Sequence, residues 1–129
     1  MDVAQLNLWV AWIAMLLGAL SGAAQGLFFR NETWWGGYNS WRRRITRLGH
    51  IAFFGLAFVN IAFVASVASI GLTEGLAYPS YHFAAANFLM PAVCYLSAID
   101  QRFANLFFLP VAAVLGGVIS FLFVLGGAL

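Results

Sequence analysis

The sequence predicts an all-α integral membrane protein, a bundle of four antiparallel transmembrane helices with both termini outside. Its 129 residues are 64% hydrophobic and only 8% charged, which is far from the composition of soluble domains. Four apolar runs are long enough to cross a bilayer, which needs about 20 residues. They cover approximately residues 6–29, 48–72, 81–99 and 103–125. No polar segment is long enough for a second core, so residues 1–129 form one domain.

Each predicted span carries small or polar residues every three or four positions, which places them on one helical face. In the first span they are Ala11, Ala14, Gly18, Ser21 and Gln25, and in the second Ala52, Gly55, Ala62, Ser66 and Ser69. In the third they are Ala84, Asn87, Pro91, Cys94 and Ala98, and in the fourth Pro110, Ala113, Gly117, Ser120 and Gly127. Small residues let helices approach closely in lipid, so these faces predict the contacts of a tight bundle.

The basic residues predict the orientation. The net charge of +2 comes from six arginines, and all of them lie in the connection 30–46, at residue 47 or in the turn 100–102. Basic connections stay on the cytoplasmic side, so this loop and this turn are predicted to be cytoplasmic in a multi-pass protein. Arginine as the sole basic residue favours a bacterial cell inner membrane. The charge is too local for a nucleic-acid interface, and anionic lipid headgroups are the expected partners.

The polar residues within the spans predict helix contacts rather than catalysis. Asn60 and Asn87 lie at mid-membrane depth, where an amide is costly unless it is bonded, so each is predicted to bond another helix. No carboxylate lies within a span, which argues against a proton-coupled exporter. Cys94 is the only cysteine and is interpreted as a small buried residue. Because no catalytic constellation is recognisable, the chain is not expected to be an enzyme alone.

One helical stripe carries the candidate cofactor chemistry. Arg43, Arg47, His50 and Phe54 follow at i, i+4, i+7 and i+11, from the headgroup layer into the hydrocarbon. Two guanidiniums above an imidazole suit a b-type haem, with His50 as the metal ligand and the propionates at the arginines. The same stripe equally suits a phospholipid headgroup. A purely structural alternative is that the arginines anchor the helix and His50 bonds a backbone carbonyl or water.

A family resemblance accompanies this stripe. A glycine-containing first helix with Gly18 and Gly22 is followed by the motif RRRITRLGH and then by Asn60. This segment, from Leu17 to about Phe63, resembles the first two helices of haem-copper oxidase subunit I, particularly of oxidases that use b- and c-type haems. The resemblance implies that His50 corresponds to the axial histidine of the low-spin haem. The remaining helices of that family have no counterpart, which excludes an oxygen-reducing centre.

Two hypotheses of function follow. The first is a haem-binding membrane protein for electron transfer, alone or in a respiratory-type complex. The second is a non-catalytic structural or assembly subunit in a homo-oligomer or a larger membrane complex. If Ala52 is heptad position a, His50 lies roughly 150° from the small-residue face, so haem would sit outside the bundle or between subunits. Alternatively, the small residues form the porphyrin groove. His82 is interpreted as an interfacial side chain.

Overall fold

The computed structural model describes residues 2–128 and is a four-helix bundle. Helix α1 spans Val3–Phe28, α2 spans Trp41–Ile70, α3 spans Ala77–Ile99 and α4 spans Phe108–Ala128. Two 3-10 segments lie at Trp34–Gly36 and Gln101–Phe107, and no strand occurs in the described part of the chain. The predicted all-α class is confirmed, and all four helices are long and apolar enough to cross a membrane. Residues 1 and 129 of the single predicted domain lie outside the described residues.

Helix α1 begins with a reciprocal cap. The Gln5 backbone N–H donates to Asp2 Oδ1 at 2.7 Å, and the Asp2 backbone N–H donates to Gln5 Oε1 at 3.3 Å. These two bonds satisfy backbone donors that the first turn of a helix leaves unpaired. The helix ends before the polar loop that starts at Arg30.

Helix α2 begins before the predicted span and includes the arginines. The Ser40 hydroxyl accepts a hydrogen bond from the Arg43 backbone N–H at 3.2 Å, which makes Ser40 the cap of one continuous helix. The helix ends at Gly71, whose φ of +75° is a left-handed conformation that favours glycine. The segment with Arg42, Arg43, Arg44 and Arg47 therefore forms the first two turns of this long helix.

Helix α3 lies at the centre of the bundle. It contacts α1, α2 and α4, whereas α1 packs mainly on α2 and α3. At one end of α3 the buried side chains of Phe63, Val67, Leu76 and Phe83 form an apolar cluster. The Phe63 ring meets Phe121 of α4 edge-on, with centroids 5.0 Å apart, so the same cluster links α2, α3 and α4.

The predicted small-residue faces are not all buried. In α1 the side chains of Ala11, Ala14 and Gln25 are buried together with Gly18, as are most of the predicted residues in α3. The prediction for α2 is wrong. Gly55, Ala62 and Ser69 are exposed, and Ala52 and Ser66 are partly exposed. The buried face of α2 instead combines the small residues Gly49 and Ala57 with the larger Asn60, Phe63 and Val67.

Candidate functional site

The bundle contains a buried polar cluster, which we call the amide cluster, formed by Asn7, Asn60, Ser80 and Asn87. All four side chains are 0% exposed. Asn7 Nδ2 donates to Asn60 Oδ1 at 2.6 Å, and Asn60 Nδ2 lies 3.0 Å from Asn87 Oδ1. The Ser80 hydroxyl donates to Asn7 Oδ1. The cluster therefore joins α1, α2 and α3 in the interior, as the sequence predicts for Asn60 and Asn87.

Sequence reasoning missed the other two members of the amide cluster. Asn7 precedes Ala11 by four residues and therefore continues the small-residue face of α1, which is the signal that identifies it. Ser80 stands one residue before the predicted third span, but α3 begins at Ala77, so Ser80 lies within the helix. Its backbone carbonyl also accepts a bond from Asn7 Nδ2 at 3.2 Å.

His50 packs into the interface between α1 and α2. Its Nδ1 lies 2.9 Å from the Gly18 carbonyl oxygen and 3.3 Å from Ser21 Oγ. A methyl group built on Gly22 would stand 2.4 Å from His50 Cε1, so the imidazole occupies the space that this glycine leaves. Phe54 contacts the His50 ring edge-on at 5.5 Å and also fills the space beside Gly18. The inference that His50 faces away from close helix packing is therefore wrong.

His82 repeats this arrangement at another interface. Its Nδ1 lies 2.9 Å from the Tyr78 carbonyl oxygen, and its ring lies 4.2 Å from the Tyr78 ring. A methyl group on Gly116 of α4 would stand 2.6 Å from His82 Cδ2. Both histidines thus combine a bond to a backbone carbonyl with a glycine on the opposing helix. Each histidine ring fills the space beside a glycine and so contributes to the packing of two helices, His50 between α1 and α2 and His82 between α3 and α4.

Arg43 is buried beneath the loop that connects α1 to α2. Its side chain is only 3% exposed. One terminal nitrogen donates to the Asn31 carbonyl oxygen. The guanidinium carbon lies 5.3 Å from the centroid of the Phe29 ring and 5.5 Å from that of Trp34. These contacts hold the loop over the start of α2.

The loop is shaped by an unusual turn. Trp35 has φ +55° and ψ +34°, a left-handed conformation that is rare for a residue with a side chain. Gly36 and Gly37 also have positive φ angles, of +87° and +91°. The Ser40 hydroxyl donates to the Trp35 carbonyl at 2.7 Å, and the Trp35 side chain packs against the buried cluster of Ile45, Cys94 and Ala98. This turn places the loop against the ends of both α2 and α3.

The surroundings of the predicted stripe do not fit haem. The haem hypothesis places the propionates at Arg43 and Arg47, but the Arg43 guanidinium packs against Asn31, Phe29 and Trp34, and the space beside the two arginines is only about 80 Å³. It assigns the iron to His50, but that imidazole is held against Gly18 and Gly22, so a porphyrin would have to part α1 from α2. Within residues 2–128, no group of three or more His, Cys, Asp and Glu side chains is arranged to hold a metal ion.

Comparisons with protein-family models, curated proteins and solved structures found no significant match for this chain.

Proposed function

We propose that this chain is a non-catalytic subunit of a membrane assembly, which packs against a further transmembrane helix through the outward face of α2. The observation that carries the proposal is the position of the small residues of α2. This outward face, which we call the α2 stripe, consists of Ala52, Gly55, Ala62, Ser66 and Ser69. Within residues 2–128, and apart from the adjoining backbone of α2, no atom lies within 4 Å of a methyl group built on Gly55, so the α2 stripe is open to a partner at this position.

The physical argument rests on how helices associate in lipid. Lipid tails are as apolar as leucine side chains, so close packing and interhelical hydrogen bonds hold transmembrane helices together. Small residues permit such packing because they bring two backbones together. In α1 and α4, Gly18, Gly22 and Gly116 have this role within the chain, where each receives a large side chain. The α2 stripe has the same composition without a partner in the chain. Its occupant is a helix from a second copy or from a larger membrane protein.

The polar interior supports a structural rather than a catalytic role. Asn60 uses its amide to bond the Leu56 and Phe83 carbonyls at 2.8 and 3.2 Å, in addition to Asn87. Gln25 donates to the Tyr95 hydroxyl at 3.1 Å and links α1 to α3. The hydrogen bonds between helices stabilise the bundle, because in lipid the hydrophobic effect does not hold apolar helices together.

The contacts between helices support the predicted antiparallel topology. Asn7 meets Asn60, whereas Gly22, much later in α1, meets His50, which comes earlier in α2. The loop and the turn 100–102 share one end of the bundle, since Trp41 Nε1 donates to the Ser97 carbonyl at 3.5 Å. With the arginines at that end, the positive-inside rule places the loop and the turn in the cytoplasm and both termini outside, in a cell inner membrane.

The proposal is tested by introducing a bulky residue on the α2 stripe. Gly55→Leu blocks close approach of another helix without touching the rest of the chain. Gly26→Leu is the matched control, because Gly26 in α1 also has nothing within 4 Å. We expect that the wild type and Gly26→Leu migrate as an assembly in mild detergent and that Gly55→Leu migrates as a monomer.

A second measurement identifies the partner within the bilayer. Ser69→Cys places a thiol on the exposed part of the α2 stripe, whereas the native Cys94 is buried. Oxidative crosslinking in membranes is expected to join Ser69→Cys either to its own copy or to a larger protein. An assembly of unchanged size in Gly55→Leu would refute the proposal. A monomeric wild type in detergent, together with no crosslink of Ser69→Cys in membranes, would also refute it.

A further inference from the structure

A small cavity lies between the first turns of α2 and the loop above them. Its lining residues are Phe29, Tyr38, Arg43 and Arg47, and its volume is about 80 Å³. Two of these four residues are arginines and the other two are aromatic. The Arg47 guanidinium carbon lies 4.9 Å from the centroid of the Tyr38 ring, so this arginine is held over an aromatic face. The cavity therefore has largely apolar walls, with two arginine side chains among its lining residues.

The Arg43 side chain, which lines this cavity, is a buried positive charge without a negatively charged partner among its contacts. Its contacts are one carbonyl oxygen and the rings of Phe29 and Trp34, none of which carries a full negative charge. Its Nε atom is buried and has no hydrogen-bond partner among residues 2–128. A guanidinium cannot lose its proton in proteins, so burial does not neutralise it. A buried charge is costly unless an opposite charge accompanies it, which indicates that an anion belongs beside Arg43.

We infer that this cavity, the Arg43–Arg47 site, binds one oxyanion of the phosphate class. Residues four apart on a helix have Cβ atoms about 5–6 Å apart, so Arg43 and Arg47 are neighbours on one face of α2, and both line the cavity. Their planar forks match the paired oxygens of a phosphate group. The site stands in the first two turns of α2, where the helix dipole adds positive potential. One water molecule needs roughly 10–15 Å³ on the same measure, so the cavity suits a compact ion rather than a large organic ligand.

The aromatic surroundings indicate where the ion comes from. Tyr38 is exposed at the site, and Trp41 is exposed in the first turn of α2, which is apolar enough to cross a membrane. Tyrosine and tryptophan side chains favour the headgroup layer of a bilayer. The phosphate of an anionic phospholipid is therefore the nearest source, and free inorganic phosphate is the other source with the same chemistry. The inference holds whether or not the α2 stripe has a protein partner.

The test compares three arginine variants. Native mass spectrometry in mild detergent measures retention of added phosphatidylglycerol, and calorimetry with inorganic phosphate measures binding of the free ion. Arg43→Gln and Arg47→Gln each remove one guanidinium from the site. Arg44→Gln is the matched control, because Arg44 is exposed on the same turn and does not line the cavity. Arg47→Gln keeps all loop contacts of Arg43, so it remains informative if Arg43→Gln misfolds.

We expect Arg47→Gln and folded Arg43→Gln to bind the probe about tenfold more weakly than the wild type, with Arg44→Gln unchanged. If this pattern holds for phosphatidylglycerol, the occupant is a lipid headgroup. If the pattern holds only for inorganic phosphate, the inference of an oxyanion site is still supported, and the ion that binds is free phosphate. Equal weakening in Arg44→Gln and Arg47→Gln would show general charge attraction and overturn the inference. Binding of neither probe by the wild type would also overturn it.

Discussion

Asn7 and Asn60 form a direct side-chain hydrogen bond of 2.6 Å between α1 and α2, at a depth where both residues are fully buried. The Asn60 amide nitrogen then reaches α3 through the Phe83 carbonyl and Asn87 Oδ1. One residue thus connects three helices. An amide without a hydrogen bond in hydrocarbon costs free energy. Each of these bonds therefore stabilises both groups that it joins.

Substitution of Asn60 is expected to destabilise the bundle. Asn60→Ala removes the shorter of the two bonds that Asn7 Nδ2 donates and leaves Asn87 Oδ1 without its donor, so we expect the free energy of unfolding to fall by about 1–3 kcal/mol. Reversible unfolding in mixed micelles measures the change. Asn105→Ala is the control, since Asn105 is exposed. An Asn60→Ala protein as stable as Asn105→Ala would show that the amide cluster contributes nothing.

Two glycines of α1 provide a matched test of the histidine contact. A methyl group on Gly22 would collide with His50, whereas one on Gly26 meets nothing within 4 Å. We expect Gly22→Ala to lower stability by about 1–3 kcal/mol through overpacking. Gly26→Ala should be neutral or stabilising by up to about 1 kcal/mol, because alanine favours the helix.

The double variant Gly22→Ala with His50→Ala identifies the cause. Removing the imidazole makes room for the new methyl group, so the Gly22→Ala substitution should cost less in the His50→Ala background than in the wild type. Micelle unfolding of the four proteins gives this coupling energy. A cost that is the same in both backgrounds would contradict the contact.

The turn at Trp35 predicts an unusual order of stability. Trp35→Ala and Trp35→Gly both lose the packing against the cluster of Ile45, Cys94 and Ala98, but only glycine adopts a φ of +55° without strain. We therefore expect Trp35→Gly to be more stable than Trp35→Ala by about 1 kcal/mol. The rate of proteolysis in the loop measures the difference. The reverse order would show that the left-handed turn is not retained.

Absorbance of the purified protein tests the haem hypothesis. Because His50 is engaged with Gly18 and Gly22 and Arg43 with the loop, we expect no Soret band, even after haem is added to detergent-solubilised protein. A Soret band that disappears in His50→Ala but persists in His82→Ala would restore haem binding at His50. His82→Ala is a fair comparison because both histidines pack on a glycine of a neighbouring helix.

The helical class and the membrane-spanning lengths follow from composition, but the inward face of a helix does not. In α1 the small residues Ala11 and Gly18 are buried, as predicted. In α2 the same kind of pattern, at Gly55 and Ala62, faces outward. The spacing of small residues identifies a helical face suited to close contact, but it does not show which helix packs on that face. Asn60 was the better guide to the interior of α2, because a mid-membrane amide must be bonded.

The surroundings of the candidate site depend on the loop between α1 and α2, and the spacing of residues in the sequence does not predict the conformation of this loop. The positions of Arg43, Arg47 and His50 on one helical face were deduced correctly from the helical period. Their surroundings were not, because the turn at Trp35 folds the loop back over Arg43. Most residues avoid the conformation that Trp35 adopts, so local preferences predict a different path. Burial of Arg43 and the cavity beside it therefore became visible only in three dimensions.

The amide cluster also constrains biogenesis. When a ribosome has delivered only α1 and α2 to the bilayer, Asn7 and Asn60 can already form their hydrogen bond. Phe83 and Asn87, which are the α3 partners of Asn60, have not yet been synthesised. The nascent hairpin thus carries an incompletely satisfied amide in hydrocarbon until α3 arrives. Insertion of α3 completes the pairing and locks the first hairpin, which makes the third segment the committing step of assembly during translation.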